Sequence, residues 1–473
     1  MSKEFIVAIE LGSSMIRGIA GHKNPDGSIT VLAYATEKSN QCIRKGAVYN
    51  VDKTVQAINS VVTRIESALT MRIERVYVGI GGQSVHSVKN SKEKTFPLET
   101  RISDEIVDSL RDDNAATIYP EMQLLYPVAQ EFKVDSQRQV DPVGIQCHRI
   151  EGNFLNILCR KNNYRNLNNC FERAGLQIAE MYLSPVALAD SVLSGTEKRT
   201  GCALIDFGAQ TTTVAVYYKS ILRHLSVVPL GGENITQDLE SYPMERDEAE
   251  NLKIKYGSAY TENENVDPTK KYDINPTRKI DSVKFLEIVE ARSTEIIANA
   301  INQIPSEYAD KLISGIVITG GGANMRNVQL AIEKLNYNYK IRQATFVKQA
   351  IKSNKAEVNN HNGTLNTLLG LLAKGDMNCA GSPISNTIFG QELNPSERAG
   401  VRPEEEMKDG NGKISNPKED QPEPARGNNG AEKERDERDG QGTTKTPGSN
   451  RGGKIRNGLK KFWKHLMEEE ENQ

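Results

Sequence analysis

Ala8-Ile9-Glu10-Leu11-Gly12-Ser13-Ser14-Met15 and Leu204-Ile205-Asp206-Phe207-Gly208-Ala209-Gln210-Thr211 share one design. In each, a β-type run ends on a carboxylate, followed by an apolar residue, a glycine and small or polar residues that lead into a second run. Glycine permits a tight turn whose backbone N–H groups face phosphate oxygens, and an acid at the strand end can hold the water shell of a metal ion. Either segment alone reads as an ordinary hairpin turn. Two copies, each opening a β-β-β unit, read as an internal duplication.

Around the first copy, residues 4–11, 15–22 and 28–36 read as three antiparallel strands, with Asp26-Gly27 as a hairpin signal. Val55, Ile58, Val61, Val62, Ile65 and Leu69 recur at helical spacing with Asp52 as the expected N-cap. A strand at 75–80 then ends in Gly81-Gly82, giving β-β-β-α-β. Residues 84–163 break this rhythm and read as a small inserted domain that ends in a strand at 154–159. Helices follow from Tyr164 to Gly175, a C′ glycine, and over 185–194. Around the second copy, strands are expected at 202–207, 212–218 and 221–229, and helices at 247–256 and 283–304. A third glycine-bearing segment, a strand at 315–319 running into Gly320-Gly321-Gly322, precedes a helix expected from about Asn327. Such a turn lets the backbone come close to a flat or anionic group at a helix N-terminus.

With 473 residues the chain is long enough for two to four domains. Lys+Arg is 60 against Asp+Glu 62, a formal net charge of −2, so no global field draws it to nucleic acid, and a lipid surface must be met by a local patch. Its six cysteines form no C-x-x-C pair and read as reduced, mostly buried thiols. The first residues lack the basic, apolar and cleavage regions of a signal peptide, and no apolar run is long enough to span a bilayer, so a cytoplasmic protein is expected. Residues 391–452 carry few large apolar side chains and read as a disordered linker. Beyond it, within 453–473, Ile455, Leu459, Phe462, Trp463, Leu466 and Met467 form one apolar stripe, flanked by Lys454, Arg456, Lys460, Lys461 and Lys464. A basic amphipathic helix with an aromatic stripe is suited to lie in an anionic headgroup layer. The alternatives are docking on the protein's own body or in a partner's groove.

In order and spacing, the three glycine-bearing segments resemble the two phosphate motifs and the adenosine motif of the actin, Hsp70 and sugar-kinase superfamily. Within it the chain is most similar to the FtsA family. The resemblance also rests on Val48–Val51, on Leu230-Gly231-Gly232-Glu233-Asn234-Ile235-Thr236-Gln237-Asp238-Leu239 and on Ala249-Glu250-Asn251-Leu252-Lys253-Ile254-Lys255-Tyr256-Gly257. It implies an α/β, actin-like ATPase fold of two RNase-H-like domains with a small inserted α+β subdomain. The first lobe would take residues 1–83 and 164–195, the insert 84–163, and the second lobe 196–345 with a smaller subdomain at about 230–302; residues 346–390 would return to the first lobe. The implied cofactor is ATP with Mg2+. It would be held by Gly12, Ser13, Ser14, Met15, Asp206, Gly208, Ala209, Gln210, Thr211, Gly231, Gly232, Glu250, Lys253, Gly320, Gly321, Gly322 and Asn324, with Glu10 and Asp206 near the metal. The implied partners are the C-terminal peptide of FtsZ, further copies of the chain in a filament, other division proteins and the anionic membrane surface. The implied place is the cytoplasmic side of the inner membrane at the division site.

Two departures stand out. The family's second phosphate loop reads Asp-x-Gly-Gly-Gly-Thr, but Ala209 and Gln210 replace two of its glycines. Related filament proteins place Glu before a proline where Ser184 precedes Pro185 here, and no carboxylate follows until Asp190, so slow or negligible hydrolysis is expected. Other readings are an MreB-like or pilus-assembly scaffold and a sugar-kinase-like enzyme. A kinase would have no evident use for an amphipathic tail on a long linker.

Overall fold

The computed structural model describes residues 4–262, 266–335 and 339–384. All lie in the unit spanning residues 1–403, whereas the linker expected at 391–452 and the amphipathic helix at 453–473 lie outside the described residues.

Two sheets repeat one topology. In the first, Ile29–Lys38, Met15–Lys23 and Ile6–Leu11 run antiparallel in that order, and Arg75–Ile80 and Gln177–Leu183 extend the sheet in parallel. In the second, Ile221–Val228, Thr212–Tyr218 and Cys202–Phe207 are antiparallel, and Ile316–Thr319 and Ile341–Gln343 add in parallel. Both Glu10 and Asp206 stand one residue before the end of the first strand of their triplets. The central strand of the second lobe shows why such strands read as unbroken apolar runs. Cys202 and Leu204 pack into the core shared with the first lobe, while Ala203, Ile205 and Phe207 pack into the core on the other face. Helices Ser184–Val192 and Asn366–Lys374 pack against each other. Gly370 permits their close crossing, since a Cβ there would lie 2.6 Å from the Ala187 carbonyl oxygen.

The insert is a four-stranded antiparallel sheet ordered Gln137–Gln139, Met122–Val134, Gln146–Arg160, His86–Arg101, with helix Asp104–Ala115 burying Val107 and Leu110 on it. Its last strand is much longer than the six residues expected from sequence, because pairing with His86–Arg101 carries it through polar Arg149, Glu151 and Asn153. The helix was not expected at all. Its polar face hides the pattern, and part of its buried surface is the amide of Asn114, exchanging two 2.8 Å hydrogen bonds with Asn156.

One further local expectation is corrected. The first long helix, Val51–Leu69, is capped by Asn50, whose side chain accepts from the Lys53 N–H at 3.0 Å, and not by Asp52. Asp52 sits in the first turn, favourable to the helix dipole, and pairs with Arg173 at 2.6 Å. After the third glycine segment the chain makes a 3-10 turn, Gly321–Asn324, and the helix expected from about Asn327 runs over Val328–Lys334 with Asn327 at φ 58° as its N-cap.

Candidate functional site

A cavity of about 940 Å³ opens between the two sheets, where the turns of both triplets face it. The turns are closed identically. The Gly12 N–H donates to the Met15 carbonyl at 3.1 Å, and the Gly208 N–H to the Thr211 carbonyl at 2.9 Å. A Cβ on Gly12 would lie 2.8 Å from that Met15 oxygen, and one on Gly208 2.7 Å from the Thr211 oxygen, so both glycines are sterically required. Among the described residues, the N–H groups of Ser13, Ser14, Ala209 and Gln210 meet no backbone or side-chain acceptor.

Two carboxylates approach each other across this floor. Glu10 is 3.7 Å from Arg17, its cross-strand partner, yet its Oε2 is buried with no hydrogen-bond partner, and burial raises its proton affinity against Arg17. The Asp206 carboxyl is pushed up to about 7, first by burial and then by the charge of Glu10, with Arg17 opposing. The third loop folds over it. Gly320 adopts φ 87°, and a Cβ there would sit 2.2 Å from Asp206 Oδ1, so only glycine admits the carboxylate.

At the far end, Lys253 is held by the Gly232 carbonyl, Thr236 Oγ1 and Glu250 Oε2 at 2.9, 2.9 and 2.6 Å. Ile254, Ile296, Ile297 and Met325 add apolar wall there. Of the residues expected from sequence, Glu10, Gly12, Ser13, Ser14, Met15, Asp206, Gly208, Ala209, Thr211, Gly232, Glu250, Lys253, Gly320, Gly321, Gly322 and Asn324 line the one cavity. Gln210 and Gly231 do not. The backbone of Gly231 instead presses on the second loop, where a Cβ would meet the Ala209 oxygen at 2.5 Å. Ser184 lines the cavity, whereas Asp190 is engaged by Lys198 and Lys374 at 2.5 Å each. Sequence reading missed Arg17, Lys38, Glu233 and Arg246 in the wall. Only Arg17 left a usable signal, since a hairpin between the first two strands puts it opposite Glu10.

The family model described as "Cell division protein FtsA" matches residues 203–362, and that of the "SHS2 domain inserted in FTSA" matches residues 82–158. The chain is 30% identical over 334 residues to cell division protein FtsA of Porphyromonas gingivalis, covering 69% of this chain and 70% of that protein. Against its counterpart from Neisseria meningitidis the identity is again 30%, covering 70% and 82% of the two chains. The chain belongs to the FtsA family of cell division proteins. Among solved structures, that titled "PilM-PilN type IV pilus biogenesis complex" superposes with a TM-score of 0.54 at 15% identity, over 78% of this chain and 97% of that one. The fold is the actin-like ATPase fold: two RNase-H-like lobes, with the FtsA-type SHS2 domain as its inserted α+β element.

Proposed function

We propose that this FtsA-family chain binds Mg·ATP between its lobes, assembles with further copies of itself and ties the FtsZ ring to the inner face of the cytoplasmic membrane at the division site. The observation that carries the nucleotide reading is the pair of superposable glycine turns, each beside a carboxylate, facing one cavity. Their unengaged N–H groups suit phosphate oxygens, while the apolar wall near Ile254, Ile296 and Met325 suits a purine. Glu250 and Lys253 stand at the same end as that wall and fit the ribose. Among the described residues no three His, Cys, Asp or Glu side chains gather into a protein cage for a metal. Glu10 and Asp206 fit a different kind of site. Mg2+ keeps most of its waters and takes one or two carboxylates together with substrate phosphates. The buried Glu10 oxygen, which accepts no hydrogen bond, and the reluctance of Asp206 to ionise both indicate a pair short of positive charge.

Bound Mg2+ would neutralise phosphate charge. The chain's own residues would cradle the phosphates, exclude water beneath Gly320–Asn324 and seat the base. No carboxylate stands at the Ser184 position to draw a proton from water, so binding without rapid turnover is expected. Membrane and FtsZ attachment rest on the family and on the sequence of residues 453–473; among the described residues no helix is long and apolar enough to cross a membrane. Calorimetric titration with Mg·ATP tests the site. Asp206→Ala should weaken binding at least tenfold, a change of about 1.4 kcal/mol, and equal affinities would overturn the assignment.

A further inference from the structure

Gln210 departs from the glycine of its family's loop, and its side chain turns away from the cavity to span the gap between the lobes. Its Oε1 accepts from the backbone N–H of Lys45 in the first lobe at 2.7 Å, and its Nε2 donates to Glu233 Oε2 in the second at 2.7 Å. These two partners fix the amide's orientation, because the reverse would set an NH2 group against an N–H and an oxygen against a carboxylate.

Lys45 and Gly46, at φ 49° and 73°, form the two-residue turn between Ile43–Arg44 and Ala47–Val48. In such a turn neither central N–H belongs to the strand ladder, so both are free to bind elsewhere. The Gly46 N–H donates to Ser13 Oγ at 2.8 Å, and the Lys45 carbonyl accepts from the Gln83 N–H at 2.9 Å. A Cβ on Gly46 would lie 2.6 Å from the Gly82 α-carbon. The turn is therefore pinned to the first phosphate loop and to the end of the Arg75–Ile80 strand, and it meets the second phosphate loop through Gln210. Glu233 is in turn paired with Arg246, so the bridge continues into the helix that carries Glu250 and Lys253.

We propose that the Gln210 side chain is a clasp that holds the lobes closed at the phosphate end of the cleft and thereby sets the rate of nucleotide release without itself touching nucleotide. The inference rests on the Mg·ATP reading above. Separating the lobes at this end must break the Lys45–Gln210 hydrogen bond, and a glycine at 210 offers no side chain to make it. The loop that carries Gln210 is also the loop whose free N–H groups face the cavity, so its displacement when a phosphate leaves would be felt directly by the Lys45–Gly46 turn.

The test is stopped-flow displacement of a fluorescent methylanthraniloyl-ATP from the full chain with Mg2+. Gln210→Ala should release nucleotide about three- to tenfold faster, the range for loss of one net hydrogen bond. Its thermal midpoint without nucleotide should fall by no more than a few degrees, the share of one hydrogen bond that already stands in the nucleotide-free structure. Gln210→Asn keeps the amide but is one methylene too short to reach both partners, so it should release as fast as the alanine variant. Release from either variant at the wild-type rate, or a loss of stability without nucleotide larger than one hydrogen bond accounts for, would overturn the clasp. Failure of the wild type to bind the probe would instead remove the nucleotide reading itself.

Discussion

Asp206 carries opposing demands. A carboxylate buried beside Glu10 resists ionisation in the nucleotide-free protein, yet only the ionised form can serve a metal. Its proton affinity is raised from an ordinary value of 3.8 to about 7, so between these two pH values the folded state binds more protons than the unfolded one. Stability therefore falls as pH rises through that window. Asp206→Asn removes the cost, so in a chelator and without nucleotide it should melt higher than wild type by roughly 2–4 °C at pH 7.5. The gain should shrink to nothing near pH 4, where the wild-type side chain is also neutral. Thermal scans across that range check it; a lower melting point for the variant at pH 7.5 would show that burial is not what strains this residue. The Ser184 position yields a second expectation, a steady-state phosphate release slower than about 1 s⁻¹, at the lower end of ordinary enzymes. Faster turnover would mean that another group in the cleft acts as base.

Arg223 lies on the edge strand Ile221–Val228, only 4% exposed, and couples the insert to the second lobe. It donates to both oxygens of Glu131 at 2.7 and 2.9 Å, to Gln130 Oε1 at 2.9 Å and to the Tyr218 carbonyl at 3.1 Å. Arg223→Ala leaves Glu131 without its hydrogen-bonded partner and with only Lys219, 3.7 Å away, so it should cost about 2–3 kcal/mol in chemical denaturation. The hydrogen bonds from Arg223 hold the Glu131 carboxyl below its ordinary value of 4.5. The pair's contribution is thus present above about pH 4.5 and lost as pH falls through the lower, folded value, so the gap between wild type and variant should narrow in acid. A gap that stays constant from pH 7 to pH 3 would mean that packing, not the ion pair, makes the difference. This coupling was not legible in the sequence. Nothing about Glu131 or Arg223 in isolation marks them as partners, because the contact depends on how the insert's long strands lie against a strand of the other lobe. The two β-β-β openings were legible, since burial on both faces leaves unbroken apolar runs that end abruptly at glycine turns. The cavity floor was legible for the same reason, and Gln210 was not: its type signals only departure, while its direction is set by Lys45 and Glu233.

For the molecule as a whole, the proposed function joins a nucleotide cleft to the membrane anchor expected at residues 453–473. A linker of roughly 60 residues, of the kind expected from the composition of 391–452, would reach about 40–45 Å root-mean-square. Copies assembled side by side would present several anchors to one surface and bind with an avidity that a single helix lacks. Within the anchor, Phe462 and Trp463 offer the largest apolar area, while the attraction of Lys460, Lys461 and Lys464 is screened within about 8–10 Å by physiological salt. The most direct test of this joined claim is co-sedimentation with anionic lipid vesicles, comparing the full chain with one ending at residue 452, each with and without Mg·ATP. The account predicts that the full chain pellets with vesicles, more completely with Mg·ATP, and that the shortened chain stays in the supernatant in both conditions. Equal pelleting of the two chains, or a full chain that stays in solution with Mg·ATP, would contradict it.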